Sequence, residues 1–266
     1  MSRAPSGDAP AVPPPALSLV IPAYNEEIRL SGSLDSVAAF AASCPGGCEV
    51  ILVDDGSRDR TAAIALDFAT KHMGTRVLVN ERNRGKGYSI RRGVLEARAP
   101  AILVSDADLS TPLTEATKLL DRLKSMKEGI VIGSRGLPES NVEIHQNALR
   151  ELMGRTFNLV VRTMTGLPFK DTQCGFKAMS SSVARPIFGR ARVDRFSWDV
   201  ELLYVARKRG VKIEEIAVTW RNAPGSKVGI LSAPVEMLRD VIRIRSWYRQ
   251  GVYDVPEGNE DRGIVG

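Results

Sequence analysis

The sequence predicts an α/β protein, built on a mostly parallel sheet with helices on both faces. Three observations carry this. Short apolar runs alternate with longer helical stretches. The runs are apolar at successive positions, as strands buried on both faces require. Polar and mostly acidic clusters follow several of the runs, at the carboxyl ends where such sheets bind ligands.

The elements follow in order. Leu17 to Ile21 is the first strand, which Pro22 is expected to stop, and a helix follows near residues 26–42. Glu49 to Val53 is the second strand and ends in Asp54-Asp55-Gly56-Ser57. A helix over 59–71 leads to a third strand at Arg76 to Val79. Residues 87–97 read as a helix, and Ala101 to Val104 as a fourth strand meeting Ser105-Asp106-Ala107-Asp108. Pro112 suits the first turn of a helix reaching Met126. Ile130 to Ile132 is a fifth strand. The second half is less regular: a long helix over 147–164, a loop or short strand over 171–179, a helix over 198–208, a strand over 212–218 and a last helix over 234–248. No linker divides the chain, so 17–250 reads as one domain. Residues 1–16 form a Pro-rich leader expected to be disordered, because such a segment buries little. Residues 251–266 are expected to be a flexible tail.

Composition narrows the function. The 266 residues are 43% hydrophobic and 26% charged, which excludes a wholly disordered chain. The longest apolar run, Val37 to Ala42, is far short of the roughly 20 residues of a membrane span. Three cysteines (Cys44, Cys48, Cys174) are too few for a disulfide framework. Two histidines without a Cys-x-x-Cys leave no zinc site. A reduced, cytoplasmic setting fits. Lys and Arg number 37 against 31 Asp and Glu, so anionic partners are favoured: nucleic acid, phosphate esters or an acidic membrane. Nucleic acid is set aside, because the densest basic run (Arg82, Arg84, Lys86, Arg91, Arg92) has only Tyr88 near it and single-strand binding needs interleaved aromatics. No oligomeric state is read from the sequence.

Asp106-Ala-Asp108 is the sharpest motif. Two carboxylates just past a buried strand can share Mg2+ or Mn2+, which keeps further positions for phosphate oxygens. Alone, the same residues would equally cap the next helix. The other acidic strand ends favour the metal, since clustered carboxylates repel unless a cation lies among them. Gly85 and Gly87 flank Lys86, and glycines allow the backbone to approach a ligand. Asp171, Gln173 and Lys177 form a second polar cluster, with Cys174 read as small-residue packing. Asp199 and Glu201 open a helix, where carboxylates suit the dipole and could also bind sugar hydroxyls. Trp198 reads as core or as a platform for a sugar ring. In the last helix Met237, Val241, Ile244 and Tyr248 line one face, and Val235, Leu238 and Ile242 a second row among arginines. That helix either packs on the body or lies against acidic lipid.

Pro22-Ala-Tyr-Asn-Glu26, Val53-Asp-Asp-Gly-Ser57, Asn83-Arg-Gly-Lys-Gly87 and Asp106-Ala-Asp108 occur in an order and spacing that resemble family 2 glycosyltransferases. Asp171-Thr-Gln-Cys-Gly-Phe-Lys177 and Trp198-Asp-Val-Glu-Leu202 resemble the dolichyl- and polyprenyl-phosphate branch, especially its glucosyl members. The resemblance spans about residues 17 to 245. It implies the GT-A fold, a Rossmann-like nucleotide-sugar-binding architecture, with a nucleotide-sugar donor and a divalent metal, Mg2+ or Mn2+. It implies that Pro22, Tyr24, Glu26 and Asp55 bind the nucleoside, and that Asp106 and Asp108 hold the metal. Lys86, Arg135 and Lys227 then face the donor phosphates. Read from the residues themselves, Arg150, Asp171, Gln173, Lys177 and Asp199 are the acceptor-side candidates, for the acceptor phosphate or the sugar hydroxyls, with a solvated face the other reading for Arg150; in the resemblance, Asp106, Asp108 and Arg135 form the catalytic set. Ser110 stands where the family often has a stronger polar ligand. The implied activity is inverting, metal-dependent transfer of a hexose, glucose from UDP-glucose favoured, to polyprenyl or dolichyl phosphate by a peripherally membrane-associated enzyme. The alternatives are another sugar such as mannose, or a soluble phosphorylated acceptor.

Overall fold

The structure, a computed structural model, describes residues 14–144, 148–221 and 232–254. Nine strands are assigned among them: β1 (Leu17–Ala23), β2 (Cys48–Asp54), β3 (Thr75–Val79), β4 (Ala101–Val104), β5 (Ile130–Ser134), β6 (Asn141–Ile144), β7 (Lys177–Ser180), β8 (Ile213–Ala217) and β9 (Thr219–Arg221). Seven form one sheet in the order β3-β2-β1-β4-β7-β5-β8, while β6 and β9 pair separately. All pairs in the large sheet are parallel except those of β7, which runs antiparallel between β4 and β5.

Strand alternation explains the two-sided cover. Leu19 and Val20 are both fully buried, yet successive side chains point to opposite faces. Leu19, Leu52, Leu103 and Val131 join one core with α1 (Glu27–Ser43), α2 (Thr61–Lys71) and α4 (Ala116–Met126). Val20, Ile51, Val53 and Ile102 join the other with α3 (Lys86–Glu96), α5 (Ala148–Thr165), α6 (Ser181–Phe188), α7 (Trp198–Lys208) and α8 (Ser232–Arg249). This is the expected α/β arrangement.

Several local expectations are corrected. Pro22 does not stop the first strand; it pairs with Val53 inside β1. The Val20 carbonyl accepts the Ser105 N–H on the β4 side, and two residues on, the proline nitrogen faces that same side, beyond the last paired residue of β4. No ladder donor is lost there, which is where strand prolines are tolerated. After Pro112 the chain makes a 3₁₀ turn, Leu113–Glu115, before α4. Strands β6 and β9 and helix α6 were not expected. The tail begins later than residue 251: Tyr253 is buried and its hydroxyl donates to Glu201 Oε1 at 2.6 Å, while the Asp254 carbonyl accepts from Arg190 Nε at 2.8 Å. Residues 255–266, and 1–13 of the leader, lie outside the described residues.

Candidate active site

The polar loops gather at the carboxyl ends of β1, β2, β4 and β5, and the antiparallel β7 brings its preceding loop to the same edge. After β2, Asp54 Oδ2 accepts the N–H groups of Gly56 and Ser57, both at 3.1 Å. Buried Asp55 accepts four hydrogen bonds: from Asn80 Nδ2 at 2.8 Å, Asn83 Nδ2 at 2.9 Å, Arg84 N at 2.9 Å and Gly85 N at 2.8 Å. These occupy the capacity of a carboxylate, so Asp55 shapes the 80–85 loop directly. Neither Asn80 nor Asn83 was singled out in the sequence for this. After β1, Glu26 is bridged to Asp108 by Arg29, whose guanidinium lies 2.6 Å from Glu26 Oε2 and 3.5 Å from Asp108 Oδ2. Pro22 is within β1, and Tyr24 lies in the turn that follows it.

The Asp106-Ala-Asp108 turn is tight. Leu109 has φ of 45°, a left-handed conformation that a branched aliphatic residue rarely adopts. The Ser110 N–H bonds Asp108 Oδ1 at 3.0 Å. Asp106 Oδ1 lies 2.5 Å from Lys86 Nζ. Burial alone would raise the Asp106 carboxyl, but the charges of Lys86, Lys177 and Arg135 outweigh it and hold it below its ordinary range. Burial likewise disfavours the Lys86 ammonium, and Asp106 reverses the sign.

The Asp171–Lys177 loop meets this turn from the far side. A β-carbon on Gly175 would strike the Asp106 carboxylate, so only glycine allows the two segments to touch. Arg135, just past β5, is clasped by Asp171 through Nε at 2.6 Å, a terminal nitrogen at 3.0 Å and its own N–H at 3.0 Å. Burial pushes the Asp171 carboxyl up, but Arg135 outweighs it and brings the pKa down to about 2. The guanidinium also sits 5.4 Å from the Trp220 ring. From β8, Glu215 accepts the N–H groups of Lys170 at 3.0 Å and Asp171 at 2.8 Å. Nothing in the sequence pattern marked it.

Lys177 is fully buried, bonded to the Cys174 carbonyl and 5.2 Å from the Trp198 ring. It lies close enough to Asp106, Asp171 and Asp199 to favour their ionised forms. Asp199 is nevertheless pushed up to about 6, because burial dominates. Trp198 is core, and buried Cys174 has its thiol pushed up by desolvation, as packing roles require. Gln173 Nε2 lies 4.0 Å from Met237 Sδ, which sets α8 against the motif.

Two expectations change. Gly85 and Gly87 admit not a ligand but the chain itself: β-carbons there would collide with the carbonyls of Asp194 and Val193. Arg91 and Arg92 are not a free basic face, since Arg91 binds Asp194 at 2.7 Å and Arg92 the Val79 carbonyl at 2.8 Å. Lys86, Asp106, Arg135, Asp171, Lys177 and Asp199 are thus one electrostatically coupled group. Asp108 borders it, with Glu26 joined through Arg29. Asp55 stands apart, just past β2, holding the 80–85 loop. Arg150 lies on α5 with its side chain outside the described residues, as does all of Lys227.

The model of the family described as Glycosyl transferase family 2 matches residues 18–188. A dolichyl-phosphate beta-glucosyltransferase of Drosophila melanogaster is 37% identical over 251 residues, covering 90% of this chain and 77% of that protein. Those of Dictyostelium discoideum and Homo sapiens are 36% and 34% identical, covering 76% and 78% of their lengths and 90% and 91% of this chain. A crystal structure of glucosyl-3-phosphoglycerate synthase from Mycobacterium tuberculosis in complex with UDP superposes with a TM-score of 0.64 at 19% identity, over 87% of this chain and 80% of that one. Mannosyl-3-phosphoglycerate synthase from Rubrobacter xylanophilus gives 0.64 at 20% identity, over 92% and 78%. With the family model spanning well over half of its length, the chain belongs to glycosyl transferase family 2 and has the GT-A fold.

Proposed function

We propose that this protein transfers glucose, with inversion, from UDP-glucose to the phosphate of a polyprenol or dolichol. The carrying observation is the single coupled group in which two separated segments, 106–108 and 171–177, meet beside Lys86 and Arg135. The relatives' names, dolichyl-phosphate beta-glucosyltransferase, support the acceptor and the sugar. A related fold solved with Mn2+ and UDP supports the donor class and a divalent ion.

The chemistry fits these residues. Departure of UDP places new negative charge on a diphosphate. Lys86 and Arg135 bring fixed cations to the group, and preorganised charge of this kind is the largest usual source of rate acceleration. Asp106 and Asp108 present carboxylate oxygens two residues apart. Among the described residues no group of three or more His, Cys, Asp or Glu side chains converges. Mg2+ or Mn2+ commonly takes one or two carboxylates and completes its shell from phosphates and water, so the donor set fits. When bound, the ion would supply Lewis-acid stabilisation of the leaving diphosphate. A phosphate monoester acceptor has a second pKa near 6 and is ionised at neutrality, so no dedicated base is needed. Asp171 and Lys177 instead hold the acceptor side in register. The nucleoside rests over the ends of β1 and β2, by Tyr24 and Glu26, while Asp55 acts indirectly by holding the 80–85 loop in place.

Membrane approach falls to α8. Its inner row (Met237, Val241, Ile244) is buried, whereas Val235, Leu238 and Ile242 are 54%, 38% and 54% exposed. Arg239 and Arg243 are exposed beside them, and Leu159 is exposed on neighbouring α5. Among the described residues no helix is long and apolar enough to cross a membrane. An apolar row edged by arginines suits an acidic lipid face.

The test is incubation of the purified protein with labelled UDP-glucose and polyprenyl phosphate, with and without chelator. A chelator-sensitive glucosyl lipid is expected. Product only from another nucleotide sugar would overturn the glucose assignment. Product only on a soluble phosphorylated acceptor would overturn the lipid. No transfer from any nucleotide sugar would overturn the activity.

A further inference from the structure

We infer that Glu215 is a positioning residue for the site's arginine: its carboxylate fixes Asp171, and Asp171 fixes Arg135. The inference deepens the proposed reading and rests on Arg135 acting at the donor phosphates. Glu215 lies on β8, paired across the sheet with Ile132 of β5. Its two carboxylate oxygens are spent on two consecutive main-chain amides, Oε2 on Lys170 and Oε1 on Asp171. Asp171 in turn spends its carboxylate on the main-chain amide, Nε and terminal nitrogen of Arg135, and on the Gln173 N–H at 3.1 Å.

The contacts close a ring. Strand β5 ends at Ser134 and delivers Arg135; Arg135 is held by Asp171; the amides of 170 and 171 are held by Glu215; and Glu215 returns through β8 to β5. Beyond the chain itself, the links are directional hydrogen bonds, several of them charge-assisted, the stronger kind. The ring is needed because residues 166–176 join α5 to β7 without a strand ladder of their own. Besides Glu215, this loop is held from α5 by Asn158, which bonds the Lys170 carbonyl and accepts from Thr172 at 3.3 Å. Arg135 is therefore located from the β8 side by a group that touches no substrate.

A Glu215 that merely tidies the edge of β8 would lower stability and leave the arginine's work intact. A double-mutant cycle separates the two, since residues acting through one another are non-additive. Glu215→Ala is expected to lower kcat/KM for UDP-glucose about tenfold or more, the range for partners that orient a site group. The same change in an Arg135→Ala background is expected to cost less than about twofold, because the group it orients is gone. Glu215→Gln keeps one acceptor oxygen for two amides and should fall between wild type and alanine. It also carries the cycle if the alanine variant does not fold by circular dichroism. Equal costs in both backgrounds, or wild-type kcat/KM in a folded Glu215 variant, would overturn the inference while leaving the site reading intact. Wild-type kinetics in Arg135→Ala alone would overturn the arginine's role, and both readings of it together.

Discussion

Two carboxylates at the same sheet edge are held in opposite ways. Asp55, after β2, is surrounded by four neutral N–H donors from the 80–85 loop. Asp171, before β7, is clasped by a guanidinium. The first arrangement fixes a loop and leaves the negative charge uncompensated by any bonded cation. The second cancels charge against charge within a partly buried group. The end beside β2 is thus organised by geometry and the end beside β7 by a balance of charges; under the proposed function, a departing diphosphate would disturb the second.

Substitution breaks this contrast most sharply at Asp171. Asp171→Ala leaves Arg135, its side chain 31% exposed, without its partner and removes three charge-assisted hydrogen bonds, a loss of about 2–4 kcal/mol once solvent screening of the guanidinium is allowed for. Asp55→Asn keeps an acceptor and forfeits only part of its hydrogen bonding, costing about 1–3 kcal/mol. Urea unfolding of the two variants checks the order; an equal loss would show that the ion pair has no special weight. Next in size is Asp108→Ala, expected to lower kcat roughly 100- to 1,000-fold, the range for removing one electrostatic stabiliser of a transition state. Asp108 borders the site, with its side chain 20% exposed and bonded, among the described residues, only to the Ser110 N–H and Arg29, so melting temperature should barely move.

Titration sharpens the same comparison, because Asp171 and Asp199 are displaced in opposite directions. The Asp171 pKa is about 2 in the folded state against an ordinary 3.8. Its contribution, about 2 kcal/mol for a shift of this size, is present above pH 4 and lost as pH falls toward 2. The Asp199 pKa is about 6 against 3.8, so the folded protein holds that proton more tightly than the unfolded chain. Stability therefore declines as pH rises from about 4 to 6, by about 3 kcal/mol if nothing compensates. Asp199→Asn should flatten the decline between pH 4 and 6 and leave the acid limb below pH 4. A decline unchanged in that variant would assign the slope to another group.

The legibility of the molecule follows the same division. In β1 to β4 each strand is followed by its own crossover helix, and local apolar runs were enough to place them; β4 and the helix Trp198–Lys208 have the expected bounds. The second half depends on partners far apart in the chain. Lys177–Ser180 is four residues without alternation, and its place between β4 and β5 is set by pairing on both sides. Helix α6 was hidden by Pro186 within it, a residue that ordinarily argues against a helix interior. The motifs named the candidate side chains. They did not show that Asp171 holds Arg135, or that Lys177 is a buried counter-charge, because both follow from the insertion of β7.

The smallest effect on the fold is expected on the outer row of α8, where the two rows repeat the contrast on a surface. Val241 and Ile244 are fully buried, while Leu238 and Ile242 face outward. Ile244→Ala removes core contacts and should cost about 2–5 kcal/mol. Leu238→Asp with Ile242→Asp touches no core, and exposed substitutions of this kind stay within about 0.5 kcal/mol each. If α8 meets lipid through its outer row, the double substitution abolishes co-sedimentation with vesicles of anionic phospholipid while transfer to a detergent-dispersed acceptor persists. Retained vesicle binding would move the membrane contact elsewhere on the chain. Because Met237 of the inner row lies against Gln173, α8 packs on the 171–177 loop by one face and would meet lipid by the other, so the double substitution tests the outer face without disturbing that packing.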